Sequence, residues 1–179
     1  MSGWPAAPGL YGKDILSTWG VESVGPIVGW ANQGAPISAA WSGANEASYI
    51  PIIVDAPMRI KQFFACNGAT AAGNTQLGIY TASGKLVGSC ASTAQAGVNV
   101  PQFFAPSAET SLLPGLYYLA LWSSSVTATF FRVAPGAQYV RMTGGVKQAG
   151  LTGGLPANWT PVISTSSIYA YGASVGRML

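Results

Sequence analysis

Side chains able to carry chemistry are scarce in this chain. It contains no histidine and only five carboxylates, Asp14, Glu22, Glu46, Asp55 and Glu109. Without histidine, neither a Ser-His-Asp nor a Cys-His nucleophile system can be built, and the usual zinc sets fail as well. Two carboxylates across a cleft would suffice for glycoside hydrolysis. The spacing of these five specifies no such pair, although Glu46 and Asp55 are near in sequence. Gly150-Leu151-Thr152-Gly153-Gly154 lacks the Lys-Ser/Thr ending of a phosphate loop, and no Asp-rich calcium loop occurs. The expectation is therefore no enzyme: no catalytic residue, no metal site and no cofactor.

The aromatic residues have more chemical content. Tryptophans stand at Trp4, Trp19, Trp30, Trp41, Trp122 and Trp159, several beside small polar residues, as in Trp41-Ser42-Gly43-Ala44-Asn45 and Asn158-Trp159-Thr160. An exposed indole can stack on a sugar ring while nearby amides bind its hydroxyls. The same indole can instead anchor a loop to the core or fill a subunit interface, where aromatics are enriched. Trp4, Trp19 and Trp30 are the candidates for a particle or subunit interface. Trp41, Trp122 and Trp159 are the candidates for the alternative, a glycan-binding surface. Cys66 and Cys90 read as buried free thiols packing as small hydrophobes. A disulfide would require that their strands be neighbours.

These residues sit in an unusual background. Of 179 residues only 7% are charged while 49% are hydrophobic, and mean hydropathy is +0.33. Average domains are about 25% charged. A surface this poor in charge points to one covered by neighbouring subunits. The net charge of +3 is scattered, so nucleic-acid binding is not expected. Arg59 and Lys61 share a strand face, read as a solvated one. No apolar run approaches the roughly 20 residues of a membrane-spanning helix. The opening residues MSGWPAAPGL lack the basic and apolar regions of a secretory signal.

Elements that could position the aromatic residues are strands. Short β-branched or aromatic runs alternate with Gly, Pro, Asn and Ser, and no window has helical periodicity. Strands are expected over Ile27–Trp30, Ser48–Asp55, Met58–Cys66, Thr75–Thr81, Lys85–Ala91, Val98–Phe104, Gly115–Trp122, Thr127–Val133, Gln138–Met142 and Pro161–Tyr171. Such a series makes a sandwich or barrel. Ser83-Gly84 should close a two-residue hairpin, setting Leu77 opposite Cys90 and placing Leu77, Ile79 and Thr81 on one face with Leu86, Gly88 and Cys90. Period two puts Met58, Ile60, Gln62, Phe64 and Cys66 on one inward face. The run from Leu116 to Trp122 is apolar on both faces, as in a central strand. Residues 144–156 form a long Gly-rich loop, uncommon unless functional or buried in an assembly. The organisation expected is an extended arm over residues 1–25 and a β-sandwich over 26–179.

Two stretches carry a resemblance. Thr75-Gln76-Leu77-Gly78-Ile79-Tyr80-Thr81-Ala82-Ser83-Gly84-Lys85-Leu86-Val87 resembles a hairpin of jelly-roll virion proteins of tailed bacteriophages. Leu113-Pro114-Gly115-Leu116-Tyr117-Tyr118-Leu119-Ala120-Leu121 resembles a strand that follows it in such proteins, in the same order and at similar spacing. The matching part covers roughly Ile50 to Val133. The resemblance implies an all-β, jelly-roll-like antiparallel sandwich serving as a head decoration, fibre or tail component of a virion. It carries over no catalytic residue. The partners expected are further copies of the chain, as a trimer, and the major capsid protein or other virion proteins. A host surface glycan belongs to the alternative, a receptor-recognition module of a tail or fibre.

Overall fold

The structure, a computed structural model, describes residues 22–24, 37–133, 145–161, 163–164 and 168–177. The described residues form strands and connecting turns without any helix. Fifteen strands follow in chain order. They are β1 (Glu22–Val24), β2 (Ile37–Ala40), β3 (Glu46–Val54), β4 (Met58–Cys66), β5 (Asn74–Thr81), β6 (Leu86–Ser89), β7 (Thr93–Ala94) and β8 (Pro101–Phe104). The rest are β9 (Thr110–Leu112), β10 (Gly115–Ser123), β11 (Thr129–Val133), β12 (Val146–Gln148), β13 (Ile163–Ser164), β14 (Ile168–Tyr169) and β15 (Tyr171–Arg177).

Two antiparallel sheets face each other. One runs β1-β15-β4-β8, with β9 continuing the line of β8 along β4; the other runs β13-β12-β3-β10-β5-β6, with β7 beside β5. Let β8 and β9 count as one interrupted strand, and take β1, β3, β4, β5, β6, β8–β9, β10 and β15 as first to eighth. The first then pairs with the eighth, the second with the seventh, the third with the sixth and the fourth with the fifth. That is the order obtained by rolling one long hairpin into two sheets, the jelly roll. The protein is an all-β antiparallel sandwich. Its first strand, Glu22–Val24, falls inside the segment expected to be an arm; the other residues of 1–25 lie outside the described residues. So do the expected strands Ile27–Trp30 and Gln138–Met142.

The core between the sheets follows the alternation of each strand. Ile50, Ile52 and Val54 of β3, Leu77 and Ile79 of β5, and Leu119 and Leu121 of β10 meet Met58, Ile60, Phe63 and Ala65 of β4 and Ala173 and Val175 of β15. Their alternate neighbours Ala47, Tyr49, Tyr80, Ala120 and Trp122 point the other way, yet are also buried. Residues 149–161 lie over them as a strap, contributing Leu151, Leu155 and Trp159. Thus β10 is buried on both faces from Leu119 to Ser123, as its sequence implied, while Leu116 near its start is exposed, and the Gly-rich loop is itself a cover.

Two expectations are corrected by bulges. Inward positions on β4 run Met58, Ile60 and then Phe63, Ala65, because Val175 pairs with Ile60 while Ser174 pairs with Gln62, leaving Lys61 as an extra residue. An extra residue reverses which side chains face the core. Cys66 is accordingly half-buried instead of inward, and so are Gln62 and Phe64. In the β5–β6 hairpin the loop is three residues, not two. The Gly84 amide donates to the Thr81 carbonyl at 2.9 Å, and Gly84 takes φ +89°. A second shift at Ile79/Tyr80 then pairs Tyr80 with Leu86. Cys90 keeps its inward position beside Leu77. Leu86 moves to the opposite face, under the strap. Cys66, at the end of β4, and Cys90, just past the end of β6 in the other sheet, are free thiols.

Candidate functional site

The tryptophans named by the sequence divide in two. Trp4, Trp19 and Trp30 lie outside the described residues. Trp41 and Trp122 are each 2% exposed. The Trp41 indole packs on Phe130 and Tyr169, with centroids 5.3 and 4.4 Å away, and its Nε1 donates to the Glu46 carbonyl at 3.1 Å. Trp122 donates to the Leu151 carbonyl at 3.0 Å, tying the central strand to the strap. Neither ring has an open face for a sugar, which corrects their candidacy as stacking platforms. Small polar neighbours suggested exposure, but Trp41 is covered by Phe130 and Tyr169 and Trp122 by the strap, both distant in sequence.

Trp159 is half-buried and holds the strap down. Its ring contacts Tyr49, Tyr80 and Tyr118, with centroids at 4.9, 6.2 and 4.3 Å. It also covers the hairpin turn so closely that a Cβ at Gly84 would overlap the indole. Main-chain bonds fix this docking: Trp159 N to Gly84 O and Leu86 N to Ala157 O, both 2.9 Å. Tyr80 Oη donates to Pro156 O at 2.7 Å, and Gln76 Oε1 accepts from Leu155 N at 2.7 Å. Trp159 therefore serves as a packing anchor, with its neighbours on several sides engaged.

The described carboxylate side chains do not converge. Glu46 is buried and meets Lys147 Nζ at 3.2 Å and the hydroxyl of Ser42. Glu109 pairs with Arg59 at 2.8 Å on the outside of the other sheet. Asp55 lies just past the end of β3 opposite to Glu46. No group of three metal-ligating side chains occurs among the described residues. Burial pushes up the phenols of Tyr49, Tyr80, Tyr169 and Tyr171 and the thiols of Cys66 and Cys90, so these groups stay protonated.

Among the described residues part of the exposed surface is apolar, and sequence reading did not single it out. On the outer face of the seven-stranded sheet, Ile53 of β3 sits opposite Leu116 of β10, at 61% and 46% exposure, beyond the reach of the strap. Leu113, 66% exposed, lies just before them at the same end. On the outer face of the other sheet Phe103 of β8, 58% exposed, sits opposite Phe64 of β4. Val98 and Val100, also exposed, lead into it. An exposed side chain of this size alone is ordinary; clusters of them mark contact surfaces.

The segment carrying Val98 and Val100 is held rigidly. Asn67 is fully buried, and its Nδ2 donates to Ala96 O at 2.7 Å and Gln102 Oε1 at 3.0 Å, while Gln95 Nε2 donates to Asn67 Oδ1 at 3.0 Å and Thr129 O at 2.9 Å. Gln102 Oε1 also accepts from Ala96 N, and Gln102 Nε2 donates to Ala94 O, both at 2.9 Å. Asn67 N donates to Val100 O and Asn99 N to Gly68 O. Asn99 takes φ +56°, a left-handed conformation that asparagine tolerates better than most residues. A satisfied buried amide network of this kind specifies one loop shape.

No family model, curated protein or solved structure matches the chain.

Proposed function

We propose that this chain is a non-enzymatic structural subunit of a bacteriophage virion. It would be a capsid decoration or head-fibre protein that assembles on itself, as a homotrimer, and binds the major capsid protein or another virion protein after synthesis in the host cytoplasm. The observation that carries this reading is the pair of uncovered apolar patches on a jelly-roll sandwich whose sequence is only 7% charged. Apolar surface exposed in clusters needs a partner to leave water, and a repeating assembly supplies one. The resemblance of residues 75–87 and 113–121 to virion jelly rolls supports the same reading. So does the lack of histidine, with no converging carboxylates among the described side chains, which leaves little for catalysis to use. The glycan-binding alternative on Trp41, Trp122 and Trp159 is not adopted, because the first two are buried and the third packs on Tyr49, Tyr80 and Tyr118.

The test is mass spectrometry of phage particles banded on a density gradient from a culture that produces this chain. The reading expects the chain in multiple copies per particle. Its absence from intact particles would overturn the assignment. Removing residues 1–25 should release it from the particle surface, and full retention would move the anchor away from Trp4 and Trp19.

A further inference from the structure

Asn67 and Gly68 form the one Asn-Gly pair of the sequence. In an unconstrained chain that pair is reactive. Glycine carries no Cβ to shield its main-chain nitrogen, so Gly68 N can lose its proton and attack Cγ of the Asn67 side chain. A bond forms between Gly68 N and Cγ, the bond from Cγ to Nδ2 breaks, and ammonia leaves. The five-membered imide then takes up one water and opens to aspartate or isoaspartate. One water is consumed, one ammonia is released, and nothing is oxidised or reduced. Packing prescribes both residues all the same. A Cβ at Gly68 would overlap Ser38 Oγ and crowd Thr129 Oγ1. Asn67 supplies the amide at the centre of the loop network.

We infer that Asn67-Gly68 is a self-modification site that folding holds shut and unfolding opens, so that a chain left unfolded loses the ability to fold. The folded chain blocks each requirement of the reaction. Gly68 N donates to Thr129 O at 2.9 Å, and Thr129 O also accepts from Gln95 Nε2 at 2.9 Å. The Asn67 side chain cannot turn toward Gly68 N without releasing Ala96 O, Gly97 O and Gln102 Oε1 from its Nδ2 and Gln95 Nε2 from its Oδ1. Asn67 is fully buried, so the water that opens the imide is shut out. Neither product fits the site. Aspartate would put a carboxylate oxygen where Nδ2 stands, against three acceptor oxygens at 2.7, 3.2 and 3.0 Å, and buried acceptors without donors are destabilising. Isoaspartate would add a carbon to the main chain between two of its hydrogen bonds, Cys66 N to Ala170 O and Gly68 N to Thr129 O. Chemical change confined to the unfolded chain makes unfolding irreversible and stability a matter of rate.

The experiment holds the full-length chain with a thiol reductant at mildly alkaline pH, in buffer and in unfolding guanidinium chloride. Peptide mass mapping reads the amide-to-acid conversion at Asn67, and circular dichroism reads the fold recovered after the denaturant is removed. An unfolded fraction of about 10⁻³ or less makes conversion in buffer at least about a thousandfold slower than in denaturant. The buffer sample should therefore stay unconverted while the unfolded sample converts, and refolding yield should fall in step with conversion. An unfolded sample kept at mildly acidic pH, where Gly68 N keeps its proton, should refold fully. Conversion in buffer at the rate seen in denaturant would overturn the inference. So would converted chains that refold, or yield lost equally at both pH values. Asn67→Asp supplies one product directly, and this variant should either fail to fold or unfold at lower denaturant. A midpoint equal to that of the unsubstituted chain would overturn the inference as well.

Discussion

Replacing Gly84 with alanine should destabilise the fold through two separable effects. The first is local. Gly84 takes φ +89°, a region that costs an L-residue about 1 kcal/mol. The second acts across the molecule, because the new Cβ would overlap the Trp159 indole and force it off Tyr49 and Tyr118. Each aromatic pair is worth about 1 kcal/mol beyond area burial, so the displacement adds roughly 2 kcal/mol and the total is about 3 kcal/mol. In a Trp159→Ala background only the local effect is left, about 1 kcal/mol. Urea unfolding followed by circular dichroism gives all four corners of the cycle, and the predicted coupling is roughly 2 kcal/mol. Equal costs for Gly84→Ala in both backgrounds would refute the docking of the strap on the hairpin.

Three further outcomes follow from burial and hydrogen bonding. Asn67→Leu removes one bond from each of the Gln95 and Gln102 amides and takes the Asn67 donor from the Ala96 carbonyl, and should cost about 2–4 kcal/mol in a urea melt; a loss below about 0.5 kcal/mol would contradict the network. Burial raises the phenols of Tyr49, Tyr80, Tyr169 and Tyr171 above the ordinary value of 10.0, so only the unfolded chain ionises them readily. Their stabilising contribution is thus intact below about pH 10 and is lost above it, by up to about 1.4 kcal/mol per tyrosine per pH unit. An ultraviolet titration should show these four ionising together with unfolding, and gradual ionisation of a folded chain would contradict it. With a thiol reagent at neutral pH, Cys66 should react at least about tenfold faster than Cys90, which is 1% exposed; equal rates would show that the Lys61 bulge is misplaced.

Where the strand pattern was regular, the sequence disclosed the fold. The Pro114-Gly115 turn and the doubly apolar run after it mark β10, and the Ser83-Gly84 turn marks the hairpin. Cys90 came out inward although the loop is three residues and not two, because the second shift at Ile79/Tyr80 restores the register that sets it beside Leu77. Cys66 was misplaced because a bulge at Lys61 reverses the alternation halfway along β4, and nothing in Met58–Cys66 announces an extra residue. The short strands β9 and β12 escaped notice because three residues hold no period. Most of β15, Tyr-Gly-Ala-Ser-Val-Gly-Arg, was missed as well; its glycines and small residues weaken the strand signal. The strap looked like a bare loop, since Leu151, Leu155 and Trp159 are separated by Gly and Pro and find their partners only through tertiary contact. The apolar patches were invisible for a related reason. Ile53, Phe103 and Leu116 look like core residues in a strand, and only the position of the strap decides which outward-facing residues stay uncovered.

Assembly of this chain through its exposed apolar faces would show in the solution mass of the full-length protein, read by size exclusion with light scattering. The expected result is a stable species of three times the 18.3 kDa chain, persisting at raised salt because its contacts are apolar. A monomer at every concentration and salt level tested would contradict it.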